Sequence, residues 1–150
     1  MIQAIKIAMF NGHGNYSFTI EAPILYLELY DAFNEEGAFQ FRQAMLAEYQ
    51  QHPTLLINHA IVNLQDWQLG TPESQQQARK MFQSMAERGY QQVDYLVNGN
   101  IIGQFILAKL WQDIKVNVTF HASTADFLAL FPHFDALITQ HQCTQNKQRR

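Results

Sequence analysis

A single cysteine, Cys143, stands in a chain of 150 residues. No internal disulfide can form, so the fold has to rest on burial and hydrogen bonding alone. Positive charge is also scarce, with 10 Lys and Arg against 13 Asp and Glu, and three of the basic residues (Lys147, Arg149, Arg150) fall in the last few positions. The body before Cys143 therefore carries 7 basic against 13 acidic residues, a net of −6, and the tail carries +3. A surface that acidic repels phosphate backbones, which argues against a nucleic-acid partner.

Long apolar runs are missing too. The most apolar stretch, "IIGQFILAKLW", is interrupted by Gln104 and Lys109 and is too short to cross a bilayer, so no membrane span is expected. The opening "MIQAIKIAMF" lacks a basic leader and an export-length apolar block. With the lone thiol, this predicts a reducing, cytoplasmic setting. Gly12 and Gly14 have no third glycine at the spacing of a phosphate loop, and a strand pattern follows them where a helix would be needed. No serine sits in a Gly-x-Ser-x-Gly elbow. The six histidines (His13, His52, His59, His121, His133 and His141) are scattered, with no pair at the helical i, i+4 spacing of zinc enzymes. Neither a metal nor a cofactor is expected.

What is present is a domain-sized chain, 47% hydrophobic and 15% charged, able to bury roughly 68–70% of its unfolded surface. "IQAIKIAMF" and "YSFTIE" read as a hairpin around the turn "NGHGN". "ILYLELY" alternates, with Leu25, Leu27 and Leu29 on one face and Ile24, Tyr26, Glu28 and Tyr30 on the other. Asn34 then caps a helix carrying Ala38, Phe41, Met45 and Tyr49 at spacings of three and four, and Pro53 ends it. "TLLINHAIV" (54–62) is nearly continuously apolar and reads as a strand covered on both faces.

The next helix opens with Thr71-Pro72-Glu73-Ser74 and closes at Gly89, where a left-handed cap suits glycine. Its apolar stripe is Ala78, Met81, Phe82, Met85 and Ala86, opposite Gln77, Arg79, Lys80, Gln83 and Glu87. "QVDYLVN", "NIIGQFILAKLW" and "KVNVTFH" read as strand, helix and strand. Ser123 and Asp126 are spaced as a capping pair for the last helix, whose inner face holds Phe127, Phe131, Phe134 and Ile138. Pro132 makes two short helices as plausible as one. Strands alternating with helices imply a mostly parallel sheet with an antiparallel hairpin at one side and about four helices. The expected single domain is 1–141, followed by a disordered polar and basic tail at 142–150.

Four segments, "ILYLELYDAFNEEGAFQFRQAML", "NLQDWQLGTPES", "DYLVNGNIIGQFILAKL" and "VTFHASTADFLALF", give the chain from about Tyr16 to Ile138 a pattern that resembles the STAS domains. This is the SpoIIAA-like, anti-sigma-factor-antagonist-like fold, and the likeness is greatest to its uncharacterised bacterial branch. In the antagonist branch a serine within Asp-Ser-Ser-Gly at the start of the second helix is phosphorylated to control partner binding. "GTPES" occupies that place here, so the resemblance makes Thr71 the candidate phosphorylation site, with Ser74 one turn deeper. A phosphate there would meet free N–H groups and a favourable dipole. Read from the residues alone, Thr71 is a cap.

The loops after the strands gather Asp31 and Asn34, then Asp66, Trp67 and Thr71, then Asn98 and Asn100, then His121, Ser123 and Asp126. Open α/β sheets bind ligands at that edge. His121 with Asp66 or Asp126 would pair a base with its orienter there. The plainer account makes Asn34, Thr71, Asn100 and Ser123 helix caps.

The third helix carries an apolar excess. Ile101, Phe105 and Ala108 form one stripe and Ile102, Ile106 and Leu110 a second beside it, with Leu107 and Trp111 further round. One stripe suffices to dock on a sheet; the other represents ~4–6 kcal/mol of burial at ~1.5–3 per large side chain. It can be covered by the last helix, by a second copy in a homodimer, or by an apolar ligand, and the lipid-carrying relatives of the resembled branch favour the ligand. The expected function is a non-enzymatic, homodimeric module binding an apolar, lipid-like small molecule or a protein partner. Phe105, Phe127 and Phe131 would be the floor of its site, and Ile102, Ile106 and Leu110 the lip. The alternatives are a phospho-switch at Thr71 and an enzyme around His121.

Overall fold

The computed structural model of the protein describes residues 3–9, 15–33, 35–69 and 71–149. The expected turn over residues 11–14 and the Asn34 cap lie outside them. Strands β1 (Gln3–Met9), β2 (Asn15–Glu21), β3 (Ile24–Phe33), β4 (His59–Leu69), β5 (Gln92–Leu96) and β6 (Asn117–His121) form one six-stranded sheet in sequence order. β1, β2 and β3 pair antiparallel; β3 to β6 pair parallel. Helices α1 (Glu35–Gln51), α2 (Pro72–Arg88) and α3 (Ile101–Leu110) connect the parallel strands. After β6 come α4 (Thr124–Leu130), a 3-10 turn over Pro132–Phe134 and α5 (Asp135–Arg149).

Strands added one after another in the same direction by right-handed crossovers place every connecting helix on the same face. The two cores follow this rule. Phe41 and Met45 of α1, Phe82 and Met85 of α2, and Leu107 of α3 share a core with Phe18, Leu27, Val62 and Tyr95 of the sheet. Phe127 of α4 and Leu137 and Ile138 of α5 form a second, smaller core on the opposite face with Tyr26, Ile61 and Leu96. The alternation read in β3 sorts as expected: Leu25 and Leu27 face α1 to α3, and Ile24 and Tyr26 face α4 and α5.

Two expectations are corrected. The second strand does not begin at Thr54: residues 55–58 carry no regular structure, Leu56 is exposed, and the strand runs from His59 through Leu69. A β-bulge between Glu28 and Tyr30 in the β3–β4 register explains why its second half was hidden. It shifts the inward set from Ala60, Val62 and Leu64 to Trp67, which breaks the period of two. α5 runs from Asp135 to Arg149. Gln, Lys and Arg are sound helix formers, no Gly or Pro interrupts them, and the Gln142 amide donates to Glu28 at 3.4 Å. Lastly, the chain beyond β6 forms two α-helices, as Pro132 allowed, which makes five α-helices among the described residues where about four were expected.

α2 starts and stops as its residues dictate. The Thr71 hydroxyl accepts the Ser74 N–H at 3.0 Å, Ser74 Oγ accepts the Thr71 N–H at 3.2 Å, and Gly89 closes the helix at φ 98°. No helix among the described residues is long and apolar enough to cross a membrane.

Candidate functional site

α3 docks by neither of its two apolar stripes but by the residues further round. Gly103, Leu107 and Trp111 face the sheet, Ile106 and Leu110 are half-buried, and Ile101, Ile102 and Phe105 remain 67%, 75% and 62% exposed. Trp111 fixes this choice, since its indole N–H donates to the Tyr95 hydroxyl at 2.8 Å and its ring stacks on Phe82 at 4.1 Å. Asn100 fixes the other end. Its amide donates to the carbonyls of Leu64 and Trp67, both at 2.6 Å, and its oxygen caps Gly103 N–H at 3.0 Å. A Cβ on residue 103 would fall 2.8 Å from that pinned amide, so glycine is required.

The six residues expected to line one site are divided by the sheet. Ile102, Phe105, Ile106 and Leu110 belong to α3 on the first face, whereas Phe127 is fully buried in the second core on the opposite side, with the Phe131 ring tilted against it at 5.3 Å. Phe105 and Phe127 therefore cannot form a common floor. The reason is topological: α3 is a crossover between parallel strands, and α4 follows the last strand.

The first face does contain a cavity, placed elsewhere. It lies between α1, α2, α3 and the sheet, has a volume of about 70 Å³, and is bounded by Leu27, Val62, Phe41, Met81, Phe82 and Gln77 among others. Nearly all of this lining is hydrocarbon or aromatic. Of its two side chains with polar atoms besides the Trp67 indole, Tyr95 accepts from Trp111, and Gln77 buries an Oε1 that has no hydrogen-bond partner among the described residues. Gln77 was expected on the solvent face of α2. It lies instead at i, i+4 and i+8 with Met81 and Met85, so it shares their inward stripe.

The opposite face is polar along its middle. Asp94 of β5 is bonded from both sides, with His59 Nε2 at 2.6 Å from Oδ2 and His121 Nε2 at 2.8 Å from Oδ1, and the Gln92 amide donates to Oδ1 at 3.1 Å. Burial pushes the Asp94 carboxyl up, but these bonds from His59, His121 and Gln92, with the charge of His59, outweigh it and hold the group below the ordinary carboxylate range. A carboxylate only accepts, so each imidazole carries a proton on Nε2. Phe127 and Phe134 sit edge-on over His121 and His59. His121 was expected to pair with Asp66 or Asp126; both are exposed, and Asp94 is its partner.

Further along the same face, the buried His141 ring lies between Ser17 Oγ, 2.8 Å from Nε2, and Thr19 Oγ1, 2.6 Å from Nδ1. Glu28 accepts from the hydroxyls of Tyr26, at 2.7 Å, and Tyr30. Burial lowers the proton affinity of His141, partly offset by Glu28, whose carboxylate is 3.7 Å from Nε2.

Four of the polar groups gathered at the strand ends are taken up by the fold. Thr71, Asn100 and Ser123 cap α2, α3 and α4. Asn98 clasps Asn63, at 3.1 Å, and Thr124, through bonds of 2.9 Å to its hydroxyl and from its N–H. The described residues contain no cluster of His, Cys, Asp or Glu able to hold a metal ion. No family model matches the chain, and no curated protein matches it.

Proposed function

We propose that the chain is a binding module that takes up a small apolar molecule in the cavity between α1, α2, α3 and the sheet. The observation that carries this reading is the lining itself: almost wholly apolar, with one buried amide oxygen left unpaired. An empty cavity of about 70 Å³ costs roughly 2 kcal/mol, at about 24 cal/mol per Å³. An unsatisfied buried carbonyl costs about 1–3 kcal/mol more. A ligand that fills the one and pairs the other recovers both.

The volume also limits the ligand. Sites for drug-sized molecules span about 300–1,000 Å³, and an engineered cavity of about 150 Å³ takes benzene. At less than half that volume, the cavity suits a short chain, or a single small ring once its walls re-pack, better than an acyl lipid. Met81 and Met85, unbranched and readily re-packed, are the walls that would adapt to it. A STAS-like relationship belongs to the same proposal. What supports it is the antiparallel hairpin followed by strands in sequence order, each added after a helix on a shared face.

Titration of labelled protein with toluene tests the reading. Methyl resonances of Leu27, Val62 and Met81 shift saturably, and Ala78→Leu, which grows into the cavity from α2, abolishes the shifts while raising the melting temperature. Unshifted methyls at toluene saturation would remove the reading.

A second reading, proton transfer at His121, is favoured by the 2.8 Å bond that orients its ring against Asp94. There Nδ1 of His121 would take the proton and Asp94 would steady the imidazolium. Its test is a turnover that His121→Gln abolishes without lowering stability.

A further inference from the structure

We infer that the ligand of the α1–α2–α3 cavity carries a hydrogen-bond donor, a hydroxyl or N–H, that pairs with Oε1 of Gln77. This rests on the cavity being a binding site and narrows what it binds. Gln77 lines the cavity on the stripe of Met81 and Met85, where a methionine or leucine would fill the space at no electrostatic cost. Its Oε1 is removed from solvent, and no described donor reaches it. The Tyr95 hydroxyl, the other polar group of the lining besides the Trp67 indole, accepts the Trp111 indole N–H and does not reach Oε1. Buried amide oxygens are almost always bonded, so an orphan beside an apolar cavity marks the place of a donor that comes with the ligand. A pure hydrocarbon would leave Oε1 unpaired, and a ligand offering only acceptors would face it with like polarity. The class that fits is a compact apolar molecule with a single O–H or N–H, such as a phenol or a short alcohol.

Toluene, phenol and pyridine match in size and differ in hydrogen-bonding character: none, donor, and acceptor only. Their dissociation constants are measured by calorimetry on the full chain and on Gln77→Met, an unbranched replacement without the amide. Comparing ratios between the two proteins cancels each probe's own cost of leaving water. The phenol-to-toluene affinity ratio is expected to fall about tenfold on substitution, the loss of one buried hydrogen bond. The pyridine-to-toluene ratio stays within about twofold. If Gln77→Met fills the cavity and excludes all three, the shorter Gln77→Val supplies the comparison. Toluene and phenol binding with a ratio unchanged by either variant would overturn the donor assignment and leave the cavity reading standing. A dependence on Gln77 shown by pyridine instead of phenol would overturn it too. Binding of no probe to the unmodified chain would overturn both.

Discussion

Trp111 hangs from Tyr95: the indole N–H at the end of α3 donates to the hydroxyl of β5 at 2.8 Å, with both residues buried. This bond orients the helix, because it turns Leu107 inward and leaves Ile102 and Phe105 outside. Tyr95→Phe keeps the ring and removes the acceptor, stranding a buried N–H. The expected loss is about 1–3 kcal/mol, read as a lower urea midpoint with an unchanged slope.

Two leucine-sized residues five positions apart on α3 should behave oppositely. Leu107 is 2% exposed and belongs to the core, whereas Ile102 is 75% exposed. Leu107→Ala is expected to cost about 2–5 kcal/mol, and Ile102→Ala to stay within about 0.5 kcal/mol. Equal losses in thermal melts would mean that the outer stripe is covered by something.

Thr71 and Ser74 make a reciprocal cap in which each hydroxyl accepts the other's backbone N–H. Thr71→Ser preserves it and should leave stability unchanged. Thr71→Ala should cost about 0.5–2 kcal/mol. Thr71→Glu separates a cap from a switch: under a phospho-switch it alters binding to a partner beyond the stability loss that Thr71→Ala already shows.

The alternation of β3 and the caps of α2 and α4 could be read from local sequence because each depends on residues within one or two turns. The β4 strand could not, since a single bulge changes which residues point inward and only the pairing with β3 reveals it. The His59–Asp94–His121 bridge was hidden for a related reason. Its members lie on three strands, and only the register brings Asp94 between the two rings. A signal did exist: an aspartate in the middle of "QVDYL", a strand buried on both faces, demands partners. Gln77 was legible from its spacing to Met81 and Met85 but was assigned by polarity alone. The division of α3 from α4 follows from the count of crossovers, since α3 connects parallel strands and α4 follows the last one.

Stability should form a dome in pH, and its acid side begins at a buried ring. Unfolded, His141 titrates near 6.5; folded, burial holds it lower despite the nearby Glu28, with Ser17 and Thr19 bonded to its two nitrogens. As pH falls through the interval below 6.5, the unfolded chain takes up a proton that the folded chain refuses, so stability declines. Asp94 adds a second loss of the same sign. Its carboxyl titrates below the ordinary 3.8 in the fold, so the stabilisation present above 3.8 disappears as pH falls toward the folded value. At the alkaline end the sign reverses. Burial pushes the Tyr16 hydroxyl up to about 12 from 10.0, with Glu48 adding to the shift, and Tyr95 is raised by burial as well. Above pH 10 the unfolded chain sheds protons that the folded chain keeps, and stability falls again. Urea midpoints between pH 5 and 8 should therefore drop on the acid side. His141→Gln, which retains a donor and an acceptor for Ser17 and Thr19 but cannot titrate, should flatten that drop; an unaltered slope would place the acid sensitivity in other groups.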